Sequence, residues 1–191
     1  MHELVRTALG GRRRASGEIG DTLLLCGHPP VYTLGTTADG GDVLNGARAP
    51  VVRTDRGGEA TWHGPGQVIG YAICDLDARG RDLHAFCRDL EEVMLRALAD
   101  FGLRGGRIEG LTGAWLNEEK VGALGVRVRR WISTHGFALN VDCDLSYFKD
   151  VVPCGIRDRG VTTMTRALGR PVDFDAVQES CGKHFQEVFT V

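Results

Sequence analysis

Thiols are the most reactive side chains available to this chain, at positions 26, 74, 87, 143, 154 and 181, because a thiolate attacks thioesters and esters well. Cys26, Cys74, Cys87 and Cys181 fall inside apolar strand or helix patterns, where a cysteine serves as a small core residue. Cys143 lies between Asp142 and Asp144, whose charges raise a thiol's pKa and blunt it. Cys154 has different neighbours. Pro153 lacks an N–H and stiffens the approach, while Gly155 lets a substrate come close to the backbone. On these residues alone Cys154 reads either as a nucleophile or as an ordinary loop cysteine.

Three further features have residue types suited to a site. The stretch Arg56-Gly57-Gly58-Glu59-Ala60-Thr61-Trp62-His63-Gly64-Pro65-Gly66-Gln67 holds four glycines, enough to bring backbone N–H groups close to a ligand. No Gly-Lys-Ser/Thr follows it, so it is not a phosphate loop of that type, and Gly64-Pro65-Gly66 leads into a strand, which excludes a dinucleotide fingerprint. A tight surface loop is the alternative. His63 and His135 stand near glycines in polar settings and are general-base candidates, with a hydrogen-bonded structural role favoured for His135. Lys120 precedes Val121-Gly122-Ala123-Leu124-Gly125. A lysine at a strand edge is usually solvated, but the two glycines after it would let a ligand approach. His84 and Cys87 share a helix, yet no paired motif completes a metal site. No metal is expected.

The elements that must position these residues are legible in the hydrophobic pattern. Asp21 to Cys26, Val31 to Leu34, Pro50 to Asp55 and Val68 to Asp75 read as strands, the first two around His28-Pro29-Pro30. The clearest helix runs from about Asp82 to Phe101, with Leu83, Phe86, Cys87, Leu90, Val93, Met94, Ala97, Leu98 and Phe101 on one face. Asp82 is its expected N-cap and Gly102 its stop. A hairpin, Ala114 to Asn117 and Lys120 to Arg129, turns near Glu118 and Glu119, and Ser133 to Val141 alternates as a further strand. The residues before Gly10 suit a short helix, Gly10 to Gly20 a polar loop, and Asp173 to Val188 a closing helix. Strands, a long helix, more strands and a last helix give an α+β architecture. No repeat or linker interrupts the 191 residues, so residues 1–191 are expected to form a single domain.

Composition excludes several classes. A formal net charge of -2 argues against a general nucleic-acid binder. The cysteines have no short paired spacing, unlike a disulfide-stapled secreted fold. Residues 1–16 carry Glu3, Arg6, Arg12, Arg13 and Arg14 without the apolar core of a signal peptide. Leu23-Leu24-Leu25-Cys26 is far too short to span a bilayer. A cytoplasmic protein with reduced thiols is expected.

Taken together, His28-Pro29-Pro30-Val31-Tyr32-Thr33-Leu34-Gly35, Arg56 to Gln67, Lys120 to Arg130, His135 to Val141 and Val152-Pro153-Cys154-Gly155-Ile156 resemble the lipoyl(octanoyl) transferases, in that family's order, from about Gly20 to Met164. That family shares its fold with the biotin and lipoate protein ligases. The resemblance implies a mixed sheet flanked by helices, no cofactor, and transfer of an octanoyl group from acyl carrier protein to a lysine of a lipoyl domain. The acceptors implied are the lipoyl domains of 2-oxoacid dehydrogenases and the glycine cleavage H protein, with no nucleic acid or membrane partner. By the same resemblance Cys154 carries the acyl thioester and Lys120 lowers its pKa. Arg56, Gly57, Gly58, Glu59, Ala60, Thr61, Trp62 and His63 match segments lining the acyl pocket, as do Ala123, Leu124 and Gly125 and Gly136, Phe137 and Ala138.

Two features depart from the family pattern. Members commonly begin with a further strand and a fuller first helix, which implies a rearranged sheet edge or a natural start other than Met1. Cys26-Gly27 also stands where an acidic residue often precedes the histidine. Three rival readings are an ATP-dependent lipoate ligase, a thioesterase, and a non-catalytic module that binds lipoyl domains or carriers. The ligase would not require Cys154, and the binding module needs neither Cys154 nor Lys120. Arg127 and Arg129 alternate with valines and, with Arg130, form a candidate basic stripe for an acidic carrier.

Overall fold

The computed structural model describes residues 10–39, 41–43, 47–151 and 159–189. In chain order they form β1 (Thr22–Cys26), β2 (Val31–Leu34), β3 (Val51–Arg53), β4 (Ala60–His63), β5 (Gln67–Ile73), α1 (Leu83–Asp100), β6 (Gly106–Ile108), β7 (Leu111–Leu116), β8 (Glu119–Arg129), β9 (Ile132–Asn140), a 3-10 helix (Leu145–Asp150), α2 (Met164–Leu168) and α3 (Phe174–Phe189). Six strands make the larger sheet, in the order β1-β5-β9-β8-β7-β6. Every neighbouring pair in it is antiparallel. The smaller sheet, β3-β2-β4, supplies the mixed pairing, with β2 parallel to β3 and antiparallel to β4.

Period-two alternation decides which face of the larger sheet is dry. Val68, Ala72, Phe137, Leu139 and Val121 face the helices and share a core with Phe86, Leu90, Met94 and Leu98 of α1 and Val177 and Phe185 of α3. The opposite face carries Gln67, Ile69 and Tyr71 of β5 and Ala138 and Asn140 of β9, which line a cavity closed by residues of β2 and β4. Helices thus cover one side and the small sheet the other.

Local chemistry explains the element ends. The Asp82 side chain accepts from Ala85 N at 2.9 Å, capping α1, and Gly102 at φ 83° lets the chain leave it. Leu83, expected on the apolar face, is 42% exposed, whereas Glu91 in that face is 1% exposed.

Several elements differ from the sequence reading. Residues 10–15 are helical, so the loop expected from Gly10 begins later. An added Cβ on Gly10 would fall 2.5 Å from Ile73 Cδ1, so glycine permits that helical turn to lie against the sheet. Part of the glycine-rich stretch is a strand, β4, which needs its partner β2 to be recognised. The short β6, the 3-10 helix and α2 carry too few residues to show a period. Among the described residues no helix is long and apolar enough to cross a membrane, and no group of three or more His, Cys, Asp or Glu could hold a metal ion.

Candidate active site

Lys120 owes its direction to a one-residue irregularity in β8. Ala114 of β7 pairs with Gly122, but Trp115 pairs with Lys120, so one step on β7 matches two on β8. That extra residue is a β-bulge, and it changes which face each side chain meets. Val121 is fully buried in the helix-side core, and an added Cβ on Gly122 would meet Met94 Sδ of α1 at 2.6 Å. Two successive positions therefore face the helices. Lys120 and Ala123, on either side of them, both line the cavity. Unbroken alternation would have put Lys120 on the same face as Gly122, inside the apolar core.

The cavity measures about 560 Å³, within the roughly 300–1,000 Å³ of small-molecule sites. Its floor is made of small and apolar groups from adjacent strands. Ile69, Ala138 and Ala123 pair across β5, β9 and β8, followed by Tyr71, Gly136 and Gly125. Leu124 and Phe137, whose side chains pack in the helix-side core, also border it. The other wall comes from the glycine-rich stretch, of which Arg56, Gly58, Glu59, Ala60, Thr61 and His63 line the cavity. Trp62 and Gly57, expected there too, do not. Along β4, Thr61 and His63 face inward, so the Trp62 ring points away, stacked on Tyr147 at 4.8 Å and edge-on to Phe148 at 5.5 Å. Gly57 instead donates to Val126 O at 2.9 Å, fastening the stretch to β8.

Arg56 organises that stretch. Its guanidinium is buried and donates to Thr33 O at 2.7 Å, Thr33 Oγ1 at 2.9 Å, Glu59 O at 2.7 Å and Gly57 O at 3.1 Å. Burial lowers its pKa to about 10, still leaving it charged. An added Cβ on Gly125 would meet Arg56 Cδ at 3.0 Å, so glycine makes room for the arginine over the floor. Burial, aided by the cation, holds both neighbouring histidines neutral. Burial, and then Arg56, lower His63 to about 3 and His135 to about 4. His135 lies 2.7 Å from Asp55 through Nε2, an arrangement that would ordinarily favour the charged ring. Asp55 is half exposed and shared with Arg127, so burial prevails, and the neutral ring donates its Nε2–H. His63 Nδ1 is buried without a partner among the described residues.

Lys120 is drawn below the usual lysine pKa by burial, with Glu91 acting in the opposite direction. Its Nζ lies 4.8 Å from the Trp115 ring centroid. The segment from residue 159 returns directly beside it, with an isolated bridge between Lys120 and Val161. Lys120 N donates to Gly160 O at 2.9 Å, and Thr162 N donates to Lys120 O at 3.0 Å. A buried amide pair fixes that segment, Gln67 Nε2 donating to Asn140 Oδ1 at 2.8 Å and Asn140 Nδ2 to Thr162 O at 3.1 Å. Cys154 lies outside the described residues, as does all of 152–158. The two residues that flank this segment, Val151 and Arg159, both line the cavity.

Four of the other thiols are held protonated. Burial pushes Cys74, Cys143 and Cys181 up to about 12 and also raises Cys87. For Cys143, burial outweighs the flanking aspartates on which the sequence reading relied. Cys26 is only partly buried, packed by Ile69, Tyr71 and Ala138. Sequence reasoning missed Gln67 and Asn140 as site residues, and Glu91 altogether. An acid in the middle of α1's apolar face was the available signal for Glu91.

The chain is similar to curated proteins named octanoyltransferase. The one from Rubrobacter xylanophilus is 50% identical over 185 residues, covering 93% of this chain and 83% of the relative. The one from Rhodospirillum rubrum is 49% identical over 175 residues, covering 89% and 81%. Solved structures show the same fold at much lower identity. A lipoate-protein ligase A bound with ATP superposes with a TM-score of 0.76 at 17% identity, covering 97% of this chain and 81% of that one. The biotin protein ligase of Aquifex aeolicus, in complex with biotin and ATP, gives 0.56 at 16% identity, covering 83% and 69%. The family model described as lipoyl protein ligase A/B catalytic domain matches residues 7–186. This chain belongs to the lipoyl protein ligase A/B catalytic-domain family.

Proposed function

We propose that this chain is an octanoyltransferase that moves an octanoyl group from acyl carrier protein to a lysine of a lipoyl domain, through an acyl thioester on Cys154. The observation that carries the reading is the bulge that turns Lys120 out of the apolar core into a cavity floored by Ile69, Ala123 and Ala138. The anchors of segment 152–158 at the same cavity support placing the nucleophile there. The names of the relatives supply the acyl group. A lipoyl domain as acceptor fits a structural neighbour described with its E2 lipoyl domain, from Thermoplasma acidophilum.

Lys120 in its cationic form favours the Cys154 thiolate. Sγ attacks the carrier thioester, and the tetrahedral intermediate expels the carrier thiolate, which takes a proton from Lys120. The octanoyl group is then held on Cys154, its chain along the apolar floor. An acceptor lysine attacks as a neutral amine, Lys120 receives the proton that the amine loses, and the Cys154 thiolate leaves. A thioester becomes an amide, a downhill exchange that needs no nucleotide. In this scheme residues 1–191 act as one catalytic domain working in the cytoplasm, and the cavity-lining residues of 56–63, with 123–125 and 136–138, hold the acyl chain.

Octanoyl carrier protein, a lipoyl domain and the enzyme, mixed with and without ATP, separate this reading from its rivals. Acceptor octanoylation is expected without ATP. Modification only with free octanoate and ATP would instead make the chain a ligase. Release of free octanoate would make it a thioesterase, and no turnover would make it a binding module.

A further inference from the structure

Glu91 stands in the apolar face of α1, 1% exposed, and takes no part in the steps above. A carboxylate in such a place persists only when its oxygens are satisfied. Oε2 accepts from Arg88 Nη1 at 2.7 Å and Arg107 Nε at 3.0 Å. Oε1 reaches the sheet, where it accepts from Gly113 N at 2.8 Å. Gly113 immediately precedes Ala114, which pairs with Gly122 at the bulge, and has φ 119°. An added Cβ on Gly113 would fall 2.4 Å from Gly122 O and 3.4 Å from Lys120 Cε. The bare Gly113 backbone therefore stands between the helix carboxylate and the lysine stem.

We propose that Glu91 is a positioning residue for Lys120, fixing the Gly113 N–H beside the bulge and setting a buried anion behind the ammonium. The proposal deepens the catalytic reading above and rests on it for its consequence in transfer. Its geometric part is that Glu91 secures β7 at Gly113, next to the point where the register with β8 shifts. Its electrostatic part follows from the other charges near Lys120. On β8 Glu119 is engaged by Arg166 at 3.5 Å, and Arg159 at the cavity is engaged by Glu118. Trp115 from β7 presents its ring face, which also favours a cation. Behind Glu91, Arg88 is 51% and Arg107 33% exposed, so solvent screens them more than it screens the carboxylate. Glu91 accordingly favours the charged lysine against the burial that lowers it.

The chain has lysines at 120, 149 and 183, so the Lys120 side-chain nitrogen can be followed by NMR and assigned with Lys120→Arg. Glu91→Gln keeps an acceptor for Gly113 and removes the charge. Its Lys120 midpoint should fall by about one pH unit, a tenfold change in proton affinity. Arg107→Gln alters a half-exposed side chain and frees more of the Glu91 charge, so the Lys120 midpoint should rise. The pH at which acyl-enzyme decay accelerates should move in the same two directions, with KM for the carrier little changed. Should Glu91→Gln not fold, the sign in Arg107→Gln decides. Unmoved midpoints in the folded variants, with only a lower Tm, would overturn the proposal. Acylation that persists in Cys154→Ala would instead defeat the catalytic reading, and leaves the Lys120 titration shifts readable on their own.

Discussion

A lysine in water holds its proton to a pH near 10.4, too firmly to serve as a base at neutral pH. Burial of Lys120 weakens that hold, while burial leaves the described thiols at 74, 143 and 181 protonated. The same force therefore prepares the amine and disarms these thiols. Lys120→Ala should shift Cys154 alkylation to higher pH and lower transfer by about 10²-fold or more, the low end of what a positioned acid–base group contributes. Lys120→Arg keeps the charge but cannot give up its proton, so acyl-enzyme should form and then accumulate in single-turnover mass spectrometry. Near wild-type alkylation and transfer in Lys120→Ala would make Lys120 a bystander, with His63 the next base to test. The neutral histidines make a separate prediction about acid. Their folded pKa values, about 3 and about 4, lie below the ordinary 6.5, so the unfolded chain binds protons first. Their contribution to stability is complete above pH 6.5 and is lost as pH falls toward the folded values. The slope should approach about 1.4 kcal/mol per pH unit per histidine. Denaturant melts between pH 7 and 4 should show a shallower loss in His63→Gln.

Elements decide where these residues point, and here small residues matter as much as reactive ones. Gly125 gives Arg56 its place over the floor, and its paired neighbour Gly136 leaves the next strand equally bare. Gly125→Val should fill the far end of that floor and crowd Arg56. Acyl-enzyme formation from octanoyl carrier should fall about tenfold, and from butanoyl carrier clearly less. Equal losses for both chain lengths would mean the chain does not lie along β8 and β9. Much of this was legible beforehand. The strand at 68–75, the alternation in 133–141, the period of α1 with its Asp82 cap, and the glycines within 56–67 all follow from local rules. The bulge was not legible, because it depends on how β7 and β8 register against each other, and a strict alternation reading would have buried Lys120. Trp62 was assigned to the pocket because its neighbours match a pocket segment, yet alternation along β4 turns it to the other side. Glu91 and the Gln67–Asn140 pair were missed for the same reason, since their partners lie on distant elements.

At the scale of the whole molecule, the large sheet separates two environments, a dry one against α1 and α3 and a cavity beneath the small sheet. In the proposed reaction the substrates reach that cavity on carrier domains, which makes surface charge part of the mechanism. Arg127 and Arg129 share a face of β8, but Arg127 is engaged by Asp55, so the expected stripe is weaker than its sequence implies. The exposed Arg129 and Arg130 remain available. Arg129→Glu with Arg130→Glu should slow association of an acidic carrier at low salt and flatten its salt dependence. Association rates equal to wild type at low and moderate salt would assign docking to another face. The central claim, that the acyl group passes through Cys154, has a more direct test. Enzyme incubated with octanoyl carrier protein alone, without acceptor or ATP, should gain the mass of one octanoyl group in a hydroxylamine-labile linkage. Cys154→Ala should lose that adduct while Cys26→Ala retains it; an adduct that survives in Cys154→Ala would contradict the account.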